Sequence, residues 1–292
     1  MLLRKTFNTS SLVVLTLLNF SAPLAFARGG GMSGGGGDTL KTSEIDVEFQ
    51  ASGAASKLTS LLKSDFIDAK ADGMRKQILS ALDVNMIANG KDYYFAHGPC
   101  KDLYSQAHMG GALIGDVSHP FCLSLPYLTV MPDEYTLFKQ LIALMAHEVA
   151  HQAGYEETDA VYFQKATYAQ YAFNLLRESS YYPYQSALYS IDHALNSLKS
   201  GTDAQLCFAL GELNRATTSD RGLDFNGLDP EQSPIVKRIG DESIAFMHAG
   251  ANGRLLAPCM NSGSVDKTGL IQLLQDTRTH VSTVLSLLGP VP

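Results

Sequence analysis

His147, Glu148 and His151 stand in the order His-Glu-x-x-His within LMAHEVAHQAGYEETDAVYF, residues 144–163. On a helix, two imidazoles four residues apart share one face, where both can bind a single Zn2+ at about 2.0–2.1 Å. Glu148 flanks them at an angle unsuited to ligation, which frees it to take a proton from a water held by the metal. Zinc would bring that water's pKa toward neutrality and polarise a scissile carbonyl, and Glu148 would deliver the proton to the leaving amine. A catalytic zinc also needs a third protein ligand and an open fourth position. Glu156, Glu157 and Asp159 are available just after Gly154, where a second helix folding back from about residue 157 would aim its first turn at the histidines. The competing roles are ordinary ones. Acids in a first turn offset the helix dipole, and histidines can form the polar face of a helix whose other side carries Leu141, Leu144, Met145 and Val149.

The run His147-Glu148-x-x-His151-x-x-Gly154-x-x-Glu157 resembles the HExxHxxGxxE/H arrangement of zincin zinc metallopeptidases. Glu157-Thr158-Asp159-Ala160 is similar to the Glu-x-x-Ala segment of gluzincins. The resemblance implies a zincin-like core, Zn2+ held by His147, His151 and Glu157, Glu148 as the catalytic base, and a protein or peptide substrate. Two departures stand out. Val161 occupies a position where many gluzincins place Asp or Asn, and the interval from His151 to Glu157 is shorter than theirs. Asp159 therefore stays open as a ligand or as an acceptor for a histidine N–H. Met260 in APCMNSG is similar to a Met-turn, although the third histidine of metzincins is absent. The resemblance covers about residues 122–163.

The positioning elements lie on either side of the motif. Pro132, Asp133 and Glu134 mark the start of the motif helix and Gly154 its end, giving a helix over 133–153. The stretch 92–130 is β-rich with Gly and Pro punctuation, and a strand at 122–130 is expected to run directly into that helix. Upstream, residues 52–87 read as helical, with Leu58, Leu61, Leu62 and Phe66 on one stripe. Downstream, helices are expected at 157–180, 184–199, 203–216, 234–249 and 266–288, with one long loop over 215–234. The fold class is α+β, predominantly helical, with a small sheet packed beside the HExxH helix. A single domain is expected over 39–292: a helical part at 39–90, the metal-site core at 91–180 and a helical part at 181–292. The first of these parts could be a propeptide, an inhibitory segment or core.

Residues 1–27 read as a secretory signal, with Arg4 and Lys5 before the apolar run Leu12–Phe20 and Ala25-Phe26-Ala27 at the cleavage site. The glycine-rich stretch 28–38 is a flexible linker. No later segment has the length of an uncharged membrane span, so a periplasmic or secreted protein is expected. Losing Arg4 and Lys5 takes the net charge from -7 to -9, a sign that repels nucleic acid. Export and an even cysteine count favour two disulfides, Cys100 with Cys122 and Cys207 with Cys259. His193 and His248 sit in helical patterns as ordinary core or surface residues. Glu148-x-x-His151 lacks the second Glu-x-x-His that a di-iron bundle requires. The alternative to a peptidase is a non-catalytic exported helical binding or envelope-associated protein.

Overall fold

Ser43 opens helix α1 (Glu44–Leu62) with a capping box, its hydroxyl accepting from the Asp46 N–H while the Asp46 carboxylate accepts from Ser43. The structure, a computed structural model, describes residues 43–101, 107–200, 203–218, 228, 233–250, 255–260 and 266–291. The expected signal, the glycine linker and most of the 215–234 loop lie outside them. α1 buries Val47, Ala51, Ala54, Ala55, Leu58, Leu61 and Leu62. Asp68 caps α2 (Ala69–Ala81), and a short α3 (Asn85–Ala88) follows, so the helical pattern over 52–87 resolves into three pieces. Buried Arg75 joins the first two pieces, donating to the Leu62 carbonyl at 3.0 Å and pairing with Asp65 and Asp72.

β1 (Tyr93–Ala96), β2 (Cys100–Lys101), β3 (Ala107–His108), β4 (Gly110–Gly111) and β5 (Phe121–Ser124) form two small sheets. The larger has the order β1-β5-β4, with β1 parallel and β4 antiparallel to β5. The expected strand at 122–130 is too long. It ends at Ser124 and turns into α4 (Leu125–Leu128), because Pro126 cannot donate to a ladder but fits the first turn of a helix. α5 (Glu134–Gln152) carries the motif and starts at Asp133, whose carboxylate accepts from the Thr136 N–H. It packs against α1 and β4, and it buries residues all round its circumference, as an interior helix does.

The two helices expected at 157–180 and 184–199 are one. α6 runs from Glu157 to Ser200 with Pro183 inside it, about 65 Å of helix. A proline there costs about 3 kcal/mol. Burial on both sides outweighs that cost: Ala172, Phe173 and Leu176 precede it and Tyr184, Ala187 and Ile191 follow it, all in one apolar cluster. α6 thereby joins two cores. Its start packs with α1, α2 and α5, placing Ala160, Phe163 and Tyr171 in the same apolar cluster as the sheet residues Phe121 and Leu123. Its end packs with α7 (Asp203–Thr218), α8 (Pro234–Gly250) and α10 (Lys267–Leu288). Both expected disulfides form, Cys100–Cys122 linking β2 to β5 and Cys207–Cys259 linking α7 to α9 (Ala257–Met260). The fold is α+β and mostly helical. Among the described residues no helix is long and apolar enough to cross a membrane.

Asp92, just before β1, is buried and accepts from Gln152 Nε2 at 3.4 Å at the end of α5. Burial raises its carboxyl from the ordinary 3.8 to about 6. A folded-state pKa above the unfolded one means that the folded chain holds this proton more tightly, so stability falls as pH rises through about 4 to 6. Asp92→Asn is therefore expected to gain about 1–3 kcal/mol over the wild type at pH 7.5 and nothing below pH 4. Urea denaturation at the two pH values checks this, and an equal gain at both would contradict it.

Candidate metal centre

The end of α5 is shaped by a glycine. Gly154 has φ +94°, a left-handed value that any side chain resists. The Gly154 N–H donates to the His151 carbonyl at 2.8 Å and the Tyr155 N–H to the Ala150 carbonyl at 3.0 Å, a Schellman pair of bonds. The Gly115 N–H also reaches the His151 carbonyl at 2.8 Å, seating the loop before β5 on this turn. Reversal at Gly154 brings the Tyr155 carbonyl back to accept from His151 Nδ1 at 2.8 Å. That bond fixes the proton on Nδ1 and leaves the Nε2 lone pair free, the form in which histidine binds metals. Gly154→Ala should cost about 1–2 kcal/mol of stability through strain alone. It should also weaken zinc binding, since Tyr155 and Glu157 both move, and chelator competition beside a melting curve separates the two effects.

His147, His151 and Glu157 converge. Nε2 of His151 lies 3.0 Å from Nε2 of His147 and 3.2 Å from Glu157 Oε2, and the third edge, His147 Nε2 to Glu157 Oε2, is 3.5 Å. Ligands at 2.0–2.1 Å on a tetrahedron stand about 3.3 Å apart, so the triangle has the size of one face of a zinc coordination shell. The charges agree with the size. Burial, with help from His151 and against the pull of Glu157, holds His147 down at about 4, so it is a neutral donor at physiological pH. A free His151 lone pair 3.2 Å from a carboxylate is repulsive unless a proton or a cation lies between them. The His147 Nδ1 is buried without a well-formed hydrogen bond, and the nearby Gln164 side chain favours the charged ring. The donor set and spacing fit Zn2+. The Glu157 side chain is 73% exposed, which keeps one side of the site open.

Glu148 stands apart from the triangle. It is 3% exposed, and its carboxylate accepts from the Ala112 N–H. Burial and then the charge of Glu157 push it up to about 8, whereas a neighbouring dication would favour its ionised form. Gly110 makes the space for it. A Cβ at Gly110 would collide with Glu148 Oε1 and come within 2.9 Å of the Leu144 side chain.

Of the three acids after the turn, Glu157 alone joins the histidines. Glu156 is exposed, and Asp159 pairs with Lys70 at 3.0 Å. Among the described residues no other group of three or more His, Cys, Asp or Glu side chains converges at metal-binding distances. His193 stacks near Tyr189, and His248 lies in the last turn of α8. Met260 is 76% exposed, so it floors no site. Sequence reasoning missed Gly110, the Ala112 N–H, the Tyr155 carbonyl and Gln164. Paired glycines in a β-rich run were a usable signal for the first, because glycine in a strand often marks close approach by another group. Comparison with protein families, curated proteins and solved structures found no match.

Proposed function

We propose that this chain is an exported zinc-dependent peptidase with a zincin-like core, in which His147, His151 and Glu157 hold Zn2+ and Glu148 is the general base. The observation that carries the reading is the triangle of two Nε2 atoms and one carboxylate oxygen, with a separate buried carboxylate beside it. When bound, the ion supplies a Lewis acid for the scissile carbonyl and lowers the pKa of the attacking water. Glu148 takes the proton from that water and returns it to the leaving amine, held in place by the Ala112 N–H and the close wall of Gly110. His151 is kept in its donor tautomer by Tyr155.

The sheet edge beside the site supports a peptide substrate. β4 pairs with β5 on one side and with no strand of its sheet on the other, among the described residues. An extended peptide added to that edge would pair at half-buried Gly111, since Gly110, packed against Glu148, is itself buried. Leu113 and Ile114, which follow β4, are 47% and 51% exposed and offer apolar contacts to its side chains. The two disulfides suit a periplasmic or secreted enzyme.

Plasma mass spectrometry of the mature protein, purified without chelator, should find about one zinc per chain. The same sample should cleave a quenched-fluorescence peptide library, lose that activity to a chelator and regain it with Zn2+. Absence of zinc after reconstitution would end the metal reading, and zinc without cleavage would leave a structural metal in a binding protein.

A further inference from the structure

Glu157 has the loosest local hold of the three ligand residues. Its carboxylate meets the two histidine rings and is otherwise open to solvent. Its place is set by the backbone of residues 155–162, and α2 grips that stretch from one side. The Tyr155 hydroxyl donates to Gln77 Oε1, and the Tyr162 hydroxyl donates to Asp68 Oδ1 at 2.7 Å. Lys70 Nζ donates to Asp159 Oδ1 at 3.0 Å and lies 4.2 Å from the centre of the Tyr162 ring. The same Asp68 oxygen accepts the Ala71 N–H at 2.7 Å, so the atom that caps α2 also holds α6. Gln77 sits about 13 Å along the helix from Asp68, which lets the grip extend from before Glu157 to more than a turn beyond it. None of the four contacts touches a ligand atom.

We infer that α2 is a positioning element for the third metal ligand, with Asp68, Lys70 and Gln77 holding residues 155–162 so that Glu157 Oε2 meets the two Nε2 atoms. The inference rests on the metal-centre reading. It also gives the N-terminal helices a role in the site itself, which a removable propeptide could not have. Exposed contacts of this kind add little to overall stability, so their effect belongs to metal affinity.

Zinc affinity of the full mature chain, by competition with a chromophoric chelator, tests it. Lys70→Met with Tyr162→Phe keeps both side-chain volumes and removes the ion pair and the Asp68 bond. The dissociation constant should rise about tenfold or more, the range seen when groups supporting a ligand are lost, with the metal-free melting point nearly unchanged. Lys70→Arg alone should keep wild-type affinity. In a Glu157→Ala background the double substitution should cost nothing further, because its effect acts through Glu157. Unchanged affinity, or an equal loss in that background, would overturn the inference. A wild-type chain that takes up no zinc would overturn the metal centre itself.

Discussion

Glu148→Gln is expected to slow peptide hydrolysis by about 10²–10⁴-fold while the zinc content stays at the wild-type level. Glutamine matches glutamate in size, and its amide oxygen can still accept the Ala112 N–H, so the tight fit against Gly110 is preserved. What disappears is the ability to take a proton. Because the side chain is 3% exposed and lies outside the ligand triangle, neither the fold nor the metal should change. Measuring kcat/KM and zinc on the same preparation separates these effects. Full activity with zinc in place would remove Glu148 from the mechanism, whereas loss of zinc together with activity would make it a ligand or a structural group.

His151→Ala is expected to weaken zinc binding by roughly 10³-fold, as the loss of one of three ligands from a site worth some 10–16 kcal/mol would do. His151 is the most connected member of the triangle: its ring bonds the Tyr155 carbonyl, and its Nε2 faces both partners. Removing a buried ring that satisfies a carbonyl should also cost about 1–3 kcal/mol in the metal-free protein. Melting curves with and without zinc distinguish the two losses. Zinc at a hundred times its dissociation constant adds about 2.7 kcal/mol of stability to the wild type, and the variant should show no such rise at the same concentration. An equal zinc-dependent rise in both proteins would place the metal somewhere else.

The parts of this protein legible in its sequence are those decided within a few residues. Helix caps and glycine signals act locally, which is why the bounds of α5, the turn at Gly154 and the facing of His147 with His151 could be read directly. Glu157 is selected by the resemblance to zincins, because the local pattern alone leaves Glu156, Glu157 and Asp159 all within reach. Disulfide pairing followed from short loops of 22 and 52 residues. Tertiary packing decided the rest. Gly110 against Glu148 and Lys70 on Asp159 are contacts between distant segments, the second across 89 residues, and local pattern carries no information about them. Pro126 and Pro183 show the same division from the other side. Each is a breaker by its own chemistry, yet one starts a helical turn and the other sits within a 44-residue helix, because apolar burial on both sides of Pro183 outweighs one lost backbone hydrogen bond. The sequence by itself determined which residue types could meet a metal; the packing of α2, α5 and the sheet decided which of them converge, because only burial and long-range contact set distances between groups that the chain leaves far apart.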